Sequence, residues 1–214
     1  MNRAEELAAN LAAVQTRITN PDVTLIVVTK TYPASDVQIL KDLGVENFGE
    51  NRNEEGLEKS AAVSARWHYQ GEIQSRKLRD IAAWSSVIHS LDNVRHIAKL
   101  DSVAEKNLDV FLQLSLDGDP ARGGAVEGSL SELADAVQSS QHLSLVGLMC
   151  VPPVSANPRT AFLRIADIHR RFTNKYPAAQ SLSAGMSGDF EIAIDCGATH
   201  IRVGSSILGS RSTR

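Results

Sequence analysis

Lys30 is the residue of this sequence best placed to form a covalent bond with a small molecule. It follows Thr29 and the apolar run 25–28, which is typical of a strand buried on both faces, and Pro33 begins the next helical pattern. A lysine at the exit of a buried strand is costly unless it has an ion-pair partner or a chemical task. One such task is to form a Schiff base between its deprotonated amine and an aldehyde. On this stretch alone, a lysine that extends its charged end into solvent is the simpler interpretation.

Two loops near the end of the chain have the composition of an anion site. Residues 183–189 read Ser-Ala-Gly-Met-Ser-Gly-Asp and residues 202–206 read Arg-Val-Gly-Ser-Ser, and each runs directly into a predicted helix. Backbone N–H groups, serine hydroxyls and helix N-termini can all bind a phosphate. Taken singly, Ser187 can be a helix N-cap and Gly204 a turn residue. Two such loops after adjacent strands favour a phosphate site. The candidate residues there are Ser183, Met186, Ser187, Arg202, Gly204 and Ser205.

A lysine and a phosphate site at one end of a fold indicate a cofactor with an aldehyde and a phosphate, and pyridoxal 5'-phosphate (PLP) has both. Arg202 lies beside the second loop and can reach the pyridine nitrogen. An always-charged donor keeps that nitrogen unprotonated. The ring is then a weaker electron sink than in PLP enzymes that place an aspartate there. The alternative for Arg202 is an ion pair with a carboxylate such as Asp189.

The elements that must position these residues alternate between strand and helix along the whole chain. Eight strands joined by helical patterns predict a parallel sheet covered by helices. Eight units in a single domain, residues 1–214, favour a closed (β/α)8 TIM barrel over an open flavodoxin-like sheet. The amphipathic helix predicted over residues 3–18 can fill the outer ring beside the short end of the chain. The predicted strands span residues 23–29, 45–49, 66–69, 86–90, 108–116, 143–149, 181–183 and 199–203.

Composition limits the partners that this chain can have. The 214 residues carry a net charge of −3, which gives no general electrostatic attraction to nucleic acid or to an anionic membrane. The N-terminal residues are charged throughout, and no apolar run reaches membrane-spanning length. Cys150 and Cys196 form no CxxC pair, which excludes the usual zinc motifs and favours a reducing, cytoplasmic location.

Six separated motifs make the chain resemble the pyridoxal phosphate homeostasis protein family, whose fold is that of the alanine racemase barrel domain. The motifs occur in order between about residues 25 and 211, and read VVTKTYP, FGENRNEE, WHYQGEIQSRK, GLMCVPP and LSAGMSGDFEIAIDCGATHIRVGSSILGSR, the last holding two of them. The resemblance implies that Lys30 carries PLP as a Schiff base. It also implies positions for the rest: Asn51 and His68 around the ring, Met149 beside it, Arg202 at the pyridine nitrogen, and Ser187, Gly204 and Ser205 at the phosphate. Thr29, Tyr32 and Arg52 depart from the usual family residues.

Two main functions follow from this site. The first is a PLP carrier or regulator in vitamin B6 homeostasis, a monomer that holds the cofactor on Lys30 and supplies apo forms of PLP-dependent enzymes. The second is an amino-acid racemase with weak or residual activity, since racemisation needs acid/base groups on both faces of the substrate. In alanine racemases the second group is a tyrosine of another domain, and no such domain is expected here, so the non-enzymatic function is preferred. An aldolase-type enzyme is less favoured, because no further acid/base residue is evident near Lys30.

The remaining polar residues are interpreted structurally. Glu50, Glu54, Glu55 and Glu58 are expected on a solvated helix face. The histidines other than His68 are scattered without ligand spacing and are assigned structural or exposed positions.

Overall fold

Strands and helices of the protein alternate around a closed barrel. The computed structural model describes residues 2–209, so the last residues of the final family motif, 210–211, lie outside the described part. The strands of that part are β1 (Thr24–Val28), β2 (Asn47–Glu50), β3 (Arg66–Tyr69), β4 (Val87–Leu91), β5 (Leu108–Leu114), β6 (Leu143–Cys150), β7 (Ser181–Met186) and β8 (His200–Val203). The helices are α1 (Arg3–Gln15), α2 (Ala34–Asp42), α3 (Asn53–Ala62), α4 (Leu78–Trp84), α5 (Val94–Val103), α6 (Leu130–Gln138), α7 (Pro158–Lys175), α8 (Phe190–Asp195) and α9 (Ser205–Leu208).

All neighbouring strands pair in parallel, in the order of the chain, and β1 pairs with β8 to close the ring. Ile26 lies opposite Arg202 in that closing pair, so the first and last strands bring their carboxyl ends together. The predicted (β/α)8 barrel is therefore confirmed. Strand β7 is longer than predicted, because it continues to Met186. Gly185 makes this segment resemble a loop in the sequence, and its φ of +94° is one that glycine adopts readily.

Helix α1 takes the position beside the short α9 that its amphipathic sequence predicted. Asn2 begins the helix with a capping box, since its side chain accepts from the backbone N–H of Glu5 and the Glu5 carboxylate accepts in return. Asn10 donates to the carbonyl of Ile207 at 2.9 Å, and Arg3 forms an ion pair of 2.6 Å with Asp36 of α2. The outer ring is thus closed by the helix that precedes β1.

The barrel has a main core and a second, smaller apolar cluster. The main core lies between the strands and the helices and includes Phe48 and Phe162, both fully buried. The smaller cluster contains Val87, Phe111 and Met149. Its members line cavities at the two ends of the strands, so they face the inside of the barrel. Within residues 2–209, no helix combines the length and the apolar character needed to cross a membrane.

Candidate functional site

A cavity of about 360 Å³ opens at the carboxyl ends of the strands, which is where barrels of this kind place their functional groups. Its volume is within the range of ligand sites for small molecules. Eight of the ten residues expected from the sequence line it, and they come from the ends of five strands. These eight are Lys30, Asn51, Met149, Met186, Ser187, Arg202, Gly204 and Ser205.

Lys30 is held in place through hydrogen bonds made by its two neighbours in the sequence, Thr29 and Thr31. The hydroxyl of Thr29 donates to Oε1 of Glu50 at 2.6 Å, and the backbone N–H of Thr31 donates to Oε2 of Glu55 at 2.6 Å. Thr31 has a φ of 72°, which is a genuine outlier for a β-branched residue. Such strain persists only where the surroundings over-determine the backbone, and it concentrates at functional sites. The turn that presents Lys30 to the cavity is therefore fixed by two carboxylates.

These two carboxylates share a buried cation, Lys59 of α3. Its ammonium group donates to Glu50 at 2.6 Å, to Glu55 at 3.0 Å and to the carbonyl of Thr29 at 2.8 Å. Burial raises the pKa of Glu50, against the opposing effect of the hydrogen bonds from Lys59 and Thr29. The expectation that Glu50 lies on a solvated helix face is wrong, because Glu50 ends a barrel strand and its side chain is fully buried.

Arg202 brings a buried positive charge to the cavity. Its residue exposure is only 5%. One terminal nitrogen donates to the carbonyl and the hydroxyl of Ser183 at 2.8 and 2.7 Å, and the other donates to the carbonyl of Cys150 at 3.1 Å. Burial lowers the pKa of the Arg202 guanidinium to about 10. Within residues 2–209 it forms no ion pair, and Asp189 instead accepts from the backbone N–H of Met186 at 2.6 Å. A buried cation without a carboxylate partner is well suited to an acceptor supplied by a ligand.

The loops after β7 and β8 are hydrogen-bonded to each other beside this arginine. The Ser187 hydroxyl accepts from the N–H groups of Gly204 and Ser206 at 3.2 and 3.4 Å. It does not cap α8, whose N-cap position is Asp189. Gly185, near the end of β7, packs closely against α8, since a Cβ there would lie 2.7 Å from the Cβ of Ala193. Because α8 and α9 have only six and four residues, the polar groups that this region presents are mainly backbone N–H groups and hydroxyls, with little contribution from helix dipoles.

Two expected residues lie deeper than predicted. His68 was expected around the cofactor ring and Ser183 at the phosphate loop, but neither lines the strand-end cavity. Both side chains are buried inside the barrel, with relative exposures of 1% and 0%. His68 faces Asn47 and the cavity at the amino ends of the strands, because its position in the middle of a four-residue strand places it one layer below the opening. Ser183 contacts Arg202 instead of the cavity.

Several residues that line the cavity were not identified from the sequence. Tyr32 donates its hydroxyl to the carbonyl of Gly209 at 2.8 Å, and so connects the Lys30 turn to the end of α9. Gln70 follows β3, and its buried Nε2 has no hydrogen-bond acceptor among the described residues. Its position directly after a predicted strand was a usable signal, since strand ends form this site. Apolar side chains of Val28, Met149 and Val151 complete the lining.

The donor set fits a planar aldehyde cofactor with an acceptor on its ring and a phosphate. The cavity offers an amine at Lys30, a buried guanidinium at Arg202, N–H and hydroxyl donors around Ser187, and apolar walls for an aromatic ring. A metal centre has no such support, because residues 2–209 contain no group of three or more His, Cys, Asp or Glu side chains arranged as ligands.

Comparison with known proteins identifies relatives over the whole chain. Residues 3–212 match the family described as alanine racemase, N-terminal domain. The pyridoxal phosphate homeostasis protein of Mycobacterium leprae is 37% identical, with 100% of this chain and 96% of the relative covered. That of Escherichia coli K12 is 32% identical, with 96% and 97% covered.

Solved structures agree with this result. PipY of Synechococcus elongatus, in a structure with PLP bound, has a TM-score of 0.87 and 29% identity, and the match covers 95% of this chain and all of that one. Alanine racemase of Clostridium difficile has a TM-score of 0.77 and covers 98% of this chain and 60% of its own. At 14% identity that likeness shows the barrel fold alone.

Proposed function

This chain belongs to the pyridoxal phosphate homeostasis protein family, and we propose that it binds PLP as a Schiff base on Lys30 and acts as a carrier or regulator of the cofactor. The observation that carries the proposal is a strand-end cavity lined by Lys30, Arg202 and the two serine-containing loops. The Lys30 amine condenses with the aldehyde, so that a C=N bond forms and water leaves. PLP would supply the aldehyde carbon for this bond and a ring that withdraws electrons.

Different residues around the cavity bind different parts of the cofactor. Ser187 and Ser205 bind the phosphate through hydroxyl and backbone donors, and Gly204, which lines the same cavity, lets the backbone approach it closely. Arg202 donates to the pyridine nitrogen, which has a lone pair and needs a donor. Met149 and Asn51 flank the ring. His68 is not assigned a direct contact, since it lies inside the barrel.

A carrier or regulatory role explains this geometry better than turnover does. Arg202 is always charged under ordinary conditions, so it weakens the electron-withdrawing power of the ring. Relatives over the full chain are named homeostasis proteins. The partners in this function are PLP itself and apo forms of PLP-dependent enzymes that receive it, and the protein acts as a monomer.

Residual racemase activity is the second candidate, and one observation favours it. The Tyr32 hydroxyl lines the same cavity as Lys30, so two groups capable of proton transfer share one site. Against it, that hydroxyl already donates to the carbonyl of Gly209. Turnover of alanine enantiomers therefore separates the two functions.

The direct test of binding is a titration of the cofactor-free protein with PLP and with pyridoxal, which lacks the phosphate. We expect the yellow absorbance of a PLP–lysine Schiff base with PLP and a much weaker response with pyridoxal. Equal affinity for the two would contradict the phosphate assignment. No spectral change with PLP would contradict the proposed function.

A further inference from the structure

A continuous line of polar side chains runs through the inside of the barrel from Arg202 towards the opposite end. The Arg202 guanidinium donates to the Ser183 hydroxyl at 2.7 Å, and that hydroxyl lies 3.0 Å from Nδ1 of His89. Nε2 of His89 lies 2.9 Å from Nδ1 of His68, and Nε2 of His68 lies 3.0 Å from Oδ1 of Asn47. Asn47 lines a second cavity at the amino ends of the strands. The line therefore joins the ligand cavity to the far end of the barrel.

The direction of the hydrogen bonds in this line follows from its two ends, since Arg202 can only donate and the Asn47 atom in contact is a carbonyl oxygen, which can only accept. Arg202 has donors and no acceptor, so the Ser183 oxygen must accept from it. The Ser183 hydrogen is then available to Nδ1 of His89. That places the single proton of a neutral His89 ring on Nε2, where it is donated to Nδ1 of His68. At the other end, Nε2 of His68 must donate to the carbonyl oxygen of Asn47, so Nδ1 of a neutral His68 is an acceptor, and the same direction follows through His89 to Ser183.

The surroundings favour this neutral arrangement. Burial lowers the pKa of His68 to about 3 and lowers the pKa of His89 well below its usual value. The His89 ring also stacks on Phe111, with ring centroids 4.4 Å apart and planes 13° apart. Barrel interiors of this kind are usually filled with branched apolar side chains. Two histidines and a serine in these positions are costly unless all of their polar atoms are paired.

We propose that Ser183, His89, His68 and Asn47 act as positioning residues, forming a one-directional chain of hydrogen bonds that fixes the orientation of the Arg202 guanidinium towards the ligand cavity. The proposal rests on the proposed PLP function for the identity of the ligand. Three of the five guanidinium donors are used by Ser183 and Cys150. Within residues 2–209 the guanidinium makes no other hydrogen bond, so this arrangement leaves the other two donors for a ligand in the cavity that Arg202 lines.

The first test determines which imidazole nitrogens of His68 and His89 carry a proton in the cofactor-free protein. Long-range ¹H–¹⁵N spectra of the imidazoles distinguish the two neutral tautomers and the charged form. We expect both His68 and His89 to be neutral and protonated on Nε2 from pH 5 to pH 8. Protonation on Nδ1 in either ring, or titration of either ring within this range, would overturn the proposal. This measurement needs no PLP, so it is independent of the proposed function.

The second test interrupts the chain of hydrogen bonds by substitution and measures the affinity for PLP. We expect His89→Leu to weaken PLP binding about tenfold, in line with the loss of an orienting hydrogen bond. His89→Gln should remain within about threefold of the wild type, because an amide can both accept from Ser183 and donate to His68. Ser183→Ala provides a second break if His89→Leu does not fold. The control is His142→Gln, a half-exposed histidine before β6 that pairs with Asp101.

The outcomes separate the two claims. If both breaking variants bind PLP as tightly as the wild type, the chain does not position Arg202 and the inference is overturned. If His89→Gln binds as weakly as His89→Leu, the loss reflects packing and the inference is again overturned. A wild type that does not bind PLP at all would contradict the proposed function and, with it, the cofactor part of this inference.

Discussion

Lys59 and Glu50 form an ion pair of 2.6 Å in which both side chains are almost completely shielded from solvent. The pair lies behind the turn that carries Lys30, because Lys59 also donates to the carbonyl of Thr29. A buried pair of this kind contributes little over an apolar replacement, yet removal of one partner leaves the other charge buried and uncompensated. Its place in the fold indicates that it orders the Lys30 turn.

Loss of the Lys59 charge should therefore destabilise the protein strongly. We expect Lys59→Met to lower the free energy of unfolding by about 3–5 kcal/mol, as measured by urea unfolding. The matched control is Lys77→Met, which breaks an ion pair of the same length with the exposed Glu54 and should cost less than about 1 kcal/mol. Equal losses for the two variants would show that the buried pair has no special role.

Relief of the strain at Thr31 should separate stability from binding. Thr31→Gly removes the penalty of a β-branched residue at φ 72°, and we expect the free energy of unfolding to rise by about 1 kcal/mol after the entropy cost of glycine. PLP affinity should fall, because a more flexible turn holds Lys30 less firmly. Thr31→Ala keeps a side chain in the strained conformation, so its free energy of unfolding should lie between those of the wild type and Thr31→Gly. A Thr31→Gly protein that is less stable than the wild type would contradict this account.

The buried histidines predict a dependence of stability on pH. The pKa of His68 is lowered to about 3 and that of His200 to about 4, mainly by burial, so in mild acid the unfolded chain binds protons that the folded protein does not. Stability therefore rises with pH from about 4 to about 6.5 and is fully present above that value. Each such histidine contributes a slope of about 1.4 kcal/mol per pH unit within this window. Urea unfolding at pH 7, 6 and 5 should show a shallower slope for His68→Gln, and an unchanged slope would contradict the assignment.

Reversal of the charge at position 202 should change the electronic state of the cofactor. We expect Arg202→Glu to shift the absorbance titration of bound PLP, because a carboxylate favours protonation of the pyridine nitrogen. Binding should also weaken by at least about tenfold, since a charge-assisted hydrogen bond is lost. Arg79→Glu is the control, as this residue of α4 is largely exposed and does not line the strand-end cavity. An Arg202→Glu protein with an unchanged spectrum would place this arginine away from the ring.

Much of the architecture was predictable because buried parallel strands have a recognisable sequence pattern. The apolar run before Lys30 and the regular alternation of strands and helices predicted the eight-stranded barrel, which the structure confirms. Eight of the ten expected site residues line one cavity, because the ends of parallel strands must meet at one edge. The position of Gly185 in a loop-like sequence hid the end of β7.

The parts that were not predictable depend on contacts between distant positions. His68, His89 and Ser183 lie on β3, β4 and β7, and only closure of the barrel brings them into one hydrogen-bonded line. The sequence predicts Glu50 on a solvated helix face, since helix periodicity does not reveal that this carboxylate turns inward and pairs with the buried Lys59. Burial of charge requires a partner, and the partner is visible only in three dimensions.

Racemase activity should be negligible if the protein acts as a carrier. We expect the PLP-bound protein to show no appreciable interconversion of D- and L-alanine when the two enantiomers are separated and quantified by chiral chromatography. One reason is that the Tyr32 hydroxyl already donates to the carbonyl of Gly209. The other is that Arg202 weakens the electron-withdrawing power of the pyridine ring. Robust turnover that is lost in Tyr32→Phe would favour the second candidate function.

The measurement that tests the central claim most directly is reduction of the PLP-bound protein with borohydride, followed by peptide mass spectrometry. Reduction converts a Schiff base into a stable amine, so the label reports which lysine held the cofactor. We expect a single adduct of PLP mass on the peptide that contains Lys30, and none in Lys30→Ala. An adduct that persists in Lys30→Ala on another lysine, or no adduct in the wild type, would contradict the account.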